Sequence, residues 1–414
     1  MNNIAAMFRK NIHQYGLYLN NIATLFRKNI RQYGMLLALI VIMLFFEIAT
    51  GGILLKPINI DRLIQQNSYI LVLSIGMMFC ILTGGNIDLS VGSIVGLVGA
   101  CSAVFSVMWG LPVVVSIVLA LGVGILVGMW QGYWIAYMKI PAFIVTLAGL
   151  LVFRGFTNLI LVGGQTIPLP DLYVTIASKT VPDFIGKMLK TTELGIDLTT
   201  VVVGFLCSIV FLFLRLSDRK TRIKYNLVVP KINLFILGAI FYMALINVFA
   251  IWLAMANGLL YIVILLLVLI IVYSFIANKT VIGRHVYALG GNSKTAELSG
   301  IKTKKVMFLV YANMGLLAAV AGIVAAGRFN SAAPTAGDGV ELDAIAGCFI
   351  GGASATGGIG TIVGAMIGGA IMGILNNGMS IMGIDTFWQK VVKGMVLLLA
   401  VAFDVYSKTK SKSK

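Results

Sequence analysis

Asp88 stands among glycines between two apolar runs, in the stretch "GGNIDLSVGSIVG" (84–96). An ionised carboxylate that faces lipid is costly, so an aspartate in an apolar chain must face protein or water. Two roles are open for it. It can accept hydrogen bonds from amides freed by a helix break, such as those of Ser90 and Val91, as an N-cap does. It can also line a polar path for a solute with hydroxyl groups, such as a sugar.

The same choice arises in "RFNSAAPTAGDGVELDAIAG" (328–347), which holds Asp338, Glu341 and Asp343. The two acids of "ELDAIA" come directly before a short apolar run. We therefore predict that Glu341 and Asp343 lie at the outer mouth of that run.

A third polar region is the basic segment 279–305, which contains "GGNSKTAELSG". The Gly-x4-Gly-Lys-[Ser/Thr] spacing of a phosphate-binding loop fails here, and no strand precedes it, so we predict no nucleotide site. "SKTAELSG" predicts a short helix between Gly291 and Gly300. A rigid helix bracketed by glycines suits docking to a partner, and an ordinary solvated connector is the alternative.

Metal and thiol chemistry have little support. The cysteines lie far apart within apolar stretches, without CxxC or Cys/His spacing, which favours small core residues over ligands or disulfides. The chain's cysteines and histidines are Cys80, Cys101, Cys207, Cys348, His13 and His285. We predict no cofactor, no metal site and no enzymatic activity, because no nucleophile–base pair is apparent in the apolar runs.

The elements that position these residues follow from composition. Hydrophobic residues make up 59% of the 414 residues, only 11% are charged, and the mean hydropathy is +1.01. Such an excess cannot be buried in one water-soluble core, so the sequence predicts a multi-pass membrane protein. No cleavable signal-peptide pattern is expected, because the first long apolar run starts only near Met35.

Twelve apolar runs predict an all-α polytopic protein of 10–12 transmembrane or re-entrant helices, with the short run 341–354 a candidate for re-entry. They are 36–53, 66–83, 90–109, 112–137, 141–163, 197–215, 234–253, 257–278, 306–327, 341–354, 358–378 and 387–406. The net charge of +17 is clustered between the runs, which indicates membrane orientation rather than nucleic-acid binding. Counting from a cytoplasmic N-terminus places every dense basic cluster, and the C-terminus, on the cytoplasmic side.

Three regions follow from this pattern: 1–35, a transmembrane domain over 36–408, and a basic tail over 409–414. The first region carries a tandem repeat, since "NNIAAMFRKNIHQYG" recurs 18 residues later as "NNIATLFRKNIRQYG". That offset is five helical turns, which predicts a basic amphipathic helix on the anionic inner leaflet. A local duplication that lengthens a solvated tail is the alternative.

A second repeat relates "GGNIDLSVGSIVG" (84–96) to "GGASATGGIGTIVG" (351–364). Both read Gly-Gly, a polar spacer, then Gly-[Ser/Thr]-Ile-Val-Gly. Repeats centred on interrupted, glycine-rich helices are typical of transporters. Two unrelated close helix contacts are the alternative, since membrane helices favour small residues where they cross.

Several motifs in order resemble one family, the membrane permeases of bacterial ATP-binding cassette importers for monosaccharides, in the ribose/xylose/galactose branch. The similarity covers about residues 36–408 and leans towards the xylose or multiple-monosaccharide type, with an additional hydrophobic pair around 197–253. The motifs are "IDLSVGS" (87–93), "PAFIVTLAG" (141–149), "GRHVYALGGNSKTAELSGI" (283–301), "ELDAIAGCFIGG" (341–352) and "WQKVVKG" (388–394).

The resemblance implies a permease homodimer in the bacterial plasma membrane. It further implies two cytoplasmic ATPase domains that supply the energy and an extracytoplasmic sugar-binding protein that delivers the sugar. The segment 279–305 would dock the ATPase, with Ala288–Ile301 as the coupling helix. The residues assigned to that contact are Ala288, Gly290, Gly291, Asn292, Ala296, Gly300 and Ile301.

Direct sugar contacts do not transfer from any single motif. Asn86, Asp88 and Ser90 are the candidates for the path or its helix break, with Glu341 and Asp343 nearer the surface that meets the binding protein. An ion-coupled secondary transporter that uses Asp88 as its ion site is the alternative function, because an interrupted repeat suits it too.

Overall fold

The computed structural model describes residues 30–161, 164–189, 195–227, 229 and 232–412. Residues 1–29, which hold the first copy of the N-terminal repeat and most of the second, lie outside that part of the chain. Sixteen α-helices and two very short strands make up the described residues, so the predicted all-α architecture is confirmed.

The helices of the first half follow in chain order. They are α1 (Ile30–Ala49), α2 (Pro57–Leu82), α3 (Val91–Ala103), α4 (Val113–Ala136), α5 (Ala142–Ile160), α6 (Asp171–Ser178), α7 (Phe184–Leu189) and α8 (Leu198–Lys224). A π-helical turn, Val104–Met108, extends α3. Proline stands at the first position of α2 and directly before α4, α5 and α6, where its missing N–H leaves no helical bond unmade.

The second half continues the pattern. Its helices are α9 (Ile232–Ala256), α10 (Tyr261–Lys279), α11 (Val281–Gly291), α12 (Ser293–Leu298), α13 (Thr303–Phe329), α14 (Val340–Ile350), α15 (Ile362–Ile381) and α16 (Thr386–Lys412). Strands β1 (Ile167–Pro168) and β2 (Ser331–Ala332) pair antiparallel, with Ile167 opposite Ala332. This pair ties the segment after α5 to the segment after α13.

Ten of the described helices are long and apolar enough to cross a membrane, and α1 adds the shorter apolar stretch Gly34–Ala49. Helix α14 has only 11 residues, too few for a full crossing. These twelve elements match the twelve predicted runs, although several boundaries differ. Helix α2 begins at Pro57, nine residues before the predicted run, because its polar first half is also helical. Helix α16 continues through Lys412 into the predicted tail.

The centre of the bundle is built from α2, α3 and α13. Helix α13 packs along α4, α2 and α3, and α15 packs against α14 and α2. Glycine makes the α4–α13 contact close: a Cβ on Gly128 would lie 2.9 Å from the Gly315 Cα atom. The series Gly124, Gly128 and Gly132 therefore allows α4 to pack closely on α13.

Other helices lie at the rim. Helices α8 and α9 pack mainly on each other, and they form the additional hydrophobic pair predicted around 197–253. Cys80, Cys101 and Cys348 are buried as predicted, but the prediction for Cys207 is wrong because it is exposed on α8. A helix of a peripheral pair presents most of its apolar residues outward, so an apolar run does not identify a core residue there.

Candidate functional site

The first break, residues 83–90, lies inside the bundle between α2 and α3. Gly84 and Gly85 both adopt positive φ angles there, 124° and 78°, which an L-residue with a side chain seldom adopts. A Cβ on Gly149, the eighth residue of α5, would lie 3.3 Å from the Ser90 Cβ atom. The break is thus beside the interior of a spanning helix, at membrane depth.

Asp88 stabilises the first break through hydrogen bonds within the loop. Its Oδ1 atom accepts hydrogen bonds from the Ser90 amide, at 2.9 Å, and from the Ser90 hydroxyl, at 2.6 Å. The Gln131 side chain of α4 donates to the same hydroxyl. Among the described residues only Ser90 donates to Asp88, so the expected bond from the Val91 amide is not formed. Asp88 is fully buried, so in this conformation it lines no open path.

Asn86 occupies a more open part of the same break. Its amide nitrogen donates to the Thr83 hydroxyl at 3.2 Å, and the side chain is only partly buried. The predicted trio is therefore brought together in one loop, with Asp88 and Ser90 bonded to each other and Asn86 bonded back to the end of α2.

The second break, residues 351–361, separates α14 from α15. Its Ala355 amide donates to the Asp404 Oδ2 atom of α16 at 3.1 Å. Thr361 caps α15 by accepting from the Gly364 amide at 3.0 Å. Each break thus has an aspartate that accepts a freed backbone amide, one local and one from a distant helix.

The two breaks pack directly on each other. The Gly358 amide donates to the Leu82 carbonyl oxygen at 3.0 Å. A Cβ on Gly85 would collide with the Ala355 carbonyl oxygen, and one on Gly357 would collide with Gly84. Unwound backbone at this depth needs protein partners for its polar groups. Here the second break supplies one such partner, because the Gly358 amide bonds the carbonyl oxygen of the last residue of α2.

The segment 279–305 reaches both breaks. A Cβ on Gly290 would collide with the Leu82 carbonyl oxygen of the first break's helix end and lie 2.5 Å from the Gly358 amide of the second break. The Tyr287 hydroxyl donates to the Gly360 carbonyl oxygen at 2.8 Å. Burial raises the pKa of Tyr287 above its ordinary value, which keeps the phenol protonated as a donor.

This segment is divided differently from the prediction. Ala288–Ile301 is not one helix, because α11 ends at Gly291 and the Asn292 side chain accepts from the Thr295 amide at 3.0 Å to begin α12. The predicted helix over 293–300 is shorter at its end, since Gly300 adopts a φ of 85°. Ala296 faces the protein and is buried, whereas Leu298 is 89% exposed.

Glu341 and Asp343 lie in the first turn of α14 and point to different neighbours. A Cβ on Gly92 would collide with the Glu341 Oε2 atom, so Glu341 packs on the start of α3. Asp343 is buried and its Oδ2 atom pairs with the Lys393 ammonium nitrogen at 2.9 Å. Asp343 thus has an ionic partner, as a carboxylate in an apolar bundle requires, and its place at the outer mouth stays a prediction.

Sequence reasoning gave no role to Gln131, Tyr287, Lys393 and Asp404, which all contact these sites. The usable signal was a polar residue within an apolar run, as Gln131 is in 112–137. That signal shows that a partner is needed but not which residue supplies it.

Comparison with known proteins gives extensive matches. A family described as "Branched-chain amino acid transport system / permease component" matches residues 59–401. The xylose transport system permease protein XylH of Haemophilus influenzae is 41% identical over 89% of this chain and 94% of its own length. XylH of Escherichia coli K12 is 39% identical over 89% and 90%. The ribose import permease protein RbsC of Escherichia coli K12 is 34% identical over 84% and 85%. No solved structure gives a significant match.

Proposed function

This chain belongs to the family described as the permease component of the branched-chain amino acid transport system, and we propose that it imports a monosaccharide, xylose or a related pentose or hexose. The observation that carries the proposal is the similarity to xylose permeases, 39–41% identical over 89% of the chain. The ribose permease, at 34% identity, supports the sugar class but is less similar.

In this proposal the chain forms the path and other subunits supply energy and substrate. Two cytoplasmic ATP-binding cassette domains drive transport, an extracytoplasmic binding protein delivers the sugar, and a second copy of the chain completes a homodimer in the bacterial plasma membrane. No relative with an ion-coupled mechanism is among the matches described above, so the alternative based on Asp88 gains no support from them.

The proposed orientation places both termini and the segment 279–305 in the cytoplasm. It is supported by the basic residues of 215–231 and 279–305, since cytoplasmic loops carry an excess of lysine and arginine. With α1 leaving the cytoplasm, α2 returns to it, and the later helices alternate in direction to a cytoplasmic end of α16, with α14 running inward only as far as the second break.

We propose that the ATPase binds the segment 279–305 through a contact with Leu298. An apolar side chain that is 89% exposed on a polar, six-residue helix is an available contact for a partner. Helix α11, in the same segment, contacts the end of α2 at the first break through Gly290, and the second break through Gly290 and Tyr287. If the ATPase moves this segment, α11 therefore transmits the movement to the break regions by direct contact.

The test is reconstitution in vesicles with the ATPase and the sugar-binding protein. Xylose uptake is expected only when ATP and both partners are present. Leu298→Asp should weaken ATPase co-purification and lower uptake, because it places a charge in the proposed apolar contact without an ionic partner. Leu298→Met, which keeps an apolar contact, should retain both.

Ala296 is unsuitable for this experiment, since it is buried and a larger side chain would disturb α12 itself. Uptake by the chain alone, driven by a proton or sodium gradient, would overturn the proposed function. Wild-type uptake by Leu298→Asp would overturn only the docking contact.

A further inference from the structure

Three polar side chains from three helices meet inside the bundle, away from both breaks. The Asp343 Oδ2 atom of α14 accepts from the Lys393 ammonium group of α16 at 2.9 Å and from the Asn376 side-chain amide of α15 at 3.1 Å. We name these residues the 343–376–393 cluster. The sequence placed Asp343 near the surface that meets the binding protein, but it gave no role to Asn376 or to the cluster as a whole.

The cluster is not saturated. Within the described part of the chain, the buried Asp343 Oδ1 and Asn376 Oδ1 atoms have no hydrogen-bond partner. A buried acceptor without a donor costs free energy, and an ionised one costs more. Lys393 places one hydrogen bond on Asp343, although an ammonium group has three N–H donors. Asp343 and Asn376 thus each have one acceptor oxygen without a donor, and N–H groups remain on Lys393 and on the Asn376 amide.

Asn377, the next residue of α15, has hydrogen-bond partners for both its side-chain oxygen and its side-chain nitrogen. The Asn377 Oδ1 atom accepts from the Asn59 side chain at 2.9 Å, and its amide donates to the Gln66 Oε1 atom at 3.3 Å. Asn377 therefore holds α15 against α2. Asn376, one residue earlier, is only partly buried and keeps its oxygen free.

Lys393 is the more accessible member of the ion pair. It is the eighth residue of α16, about 10 Å along the helix, and its side chain is 24% exposed, against 4% for Asp343. An ammonium group within a spanning helix faces a bundle interior or a water-filled space rather than acyl chains. A sugar would therefore approach the cluster past Lys393, with the two acceptor oxygens without a donor buried behind it.

We propose that the 343–376–393 cluster is a contact site for the transported sugar, an inference that rests on the proposed function. Sugar hydroxyls donate to Asp343 Oδ1 and Asn376 Oδ1, and Lys393 donates to a hydroxyl or ring oxygen. This set of acceptors and donors suits a neutral polyol, because it offers both kinds of partner to groups that are themselves donors and acceptors. The single net-neutral ion pair does not select for a charged solute.

The first test replaces Asn376 with leucine in the complete importer. Each sugar is supplied as the loaded binding protein, which separates the permease from binding-protein selectivity. Uptake should fall about tenfold, as for one lost hydrogen bond. Discrimination between xylose and an analogue that lacks one hydroxyl should weaken as well, which a purely structural role would not cause. If Asn376→Leu does not insert, Asn376→Ala provides the same readout.

Asn377→Leu is the matched control. It should lower the melting temperature through loss of the Asn59 and Gln66 bonds, while the discrimination between the two sugars stays as in wild type. A second variant, Asp343→Asn with Lys393→Met, removes both charges together and leaves no unpaired ion. This double variant should assemble with the ATPase, but its sugar uptake should be at least about tenfold slower than that of the wild type.

These experiments distinguish failure of the contact site from failure of the proposed function. If the wild-type importer accumulates sugar and both variants transport and discriminate like wild type, the contact site is wrong and the proposed function stands. If the wild-type importer accumulates no monosaccharide with its partners and ATP, the proposed function is wrong.

Discussion

The first break and the second break both lead into Gly-[Ser/Thr]-Ile-Val-Gly, but the two copies satisfy their backbone differently. In the first, the motif serine, Ser93, already lies inside α3 and donates to the Ser90 carbonyl oxygen at 2.7 Å. In the second, Thr361 caps α15 itself. The same pattern at the helix start thus supports two hydrogen-bond solutions, because the residues around it differ.

Their approaches differ as well. A 26-residue helix leads into the first break, whereas an 11-residue helix leads into the second. The second break receives its aspartate from α16, near the end of the chain. The first break is therefore stabilised locally, and the second depends on the position of α16. If α16 moves during transport, the second break is the one that changes.

The largest effect is expected where one residue touches both breaks. Gly290→Val places side-chain atoms on the Leu82 carbonyl oxygen and the Gly358 amide, both backbone atoms that cannot rotate away. Overpacking of this kind costs about 1–3 kcal/mol. We expect α11 to be displaced and ATP-driven uptake to fall at least about tenfold, measured in vesicles with the partner subunits.

Gly291→Val is its matched control, since a Cβ on Gly291 meets nothing within 4 Å. Equal uptake by the two variants would show that the contact of α11 with the paired breaks is unimportant. Loss of uptake in Gly290→Val but not in Gly291→Val would indicate that transport depends on the contact between α11 and the paired breaks.

A smaller effect is expected at the two aspartates, and it should be unequal. Asp88→Ala leaves the buried Ser90 amide without its acceptor, which costs about 1–3 kcal/mol. Asp88→Asn keeps an acceptor oxygen and should remain nearer wild type. Asp404→Ala removes a bond that is only part-buried, so its cost should be lower. The melting temperature of the purified permease measures the difference.

Asp338→Ala serves as the control for both, because Asp338 is exposed in the segment before α14. It should leave the melting temperature unchanged. A larger loss in Asp404→Ala than in Asp88→Ala would reverse the comparison between a locally held and a remotely held break.

The smallest effect is expected at the helix starts. Thr361→Ala removes the cap on the Gly364 amide and should destabilise the protein by about 1 kcal/mol, while Thr361→Ser keeps the accepting oxygen. The loss of the cap is measured by amide hydrogen exchange at the first turn of α15. Faster exchange in Thr361→Ala but not in Thr361→Ser is expected, and equal protection in both would show that the cap is dispensable.

The membrane architecture could be predicted because lipid imposes a length and a polarity on each segment. The twelve apolar runs correspond to α1 through α16 without the short helices α6, α7, α11 and α12. Boundaries were less accurate where polar residues continue a helix, as in α2, which starts at Pro57. Hydropathy does not register such turns, since their polar groups are paired inside the protein.

The candidate site was predictable in part for a related reason. A carboxylate among glycines in an apolar chain requires a helix break and hydrogen-bond donors, so Asp88 and Ser90 were identified from residue type and spacing alone. Their internal repeat marked the second break as well. The partner of Asp343 could not be predicted in this way, because Lys393 lies 50 residues away in the chain.

The amino-acid sequence alone determined that this chain spans a membrane many times, that two glycine-rich stretches interrupt its helices, and that aspartates near them need partners. Those properties depend on residues close together in the chain. Only the tertiary structure decided that the two breaks pack on each other, that Gly290 touches both, and that Asp343 pairs with Lys393. Helix-to-helix contacts of this kind follow from the packing of distant segments, which local composition does not specify.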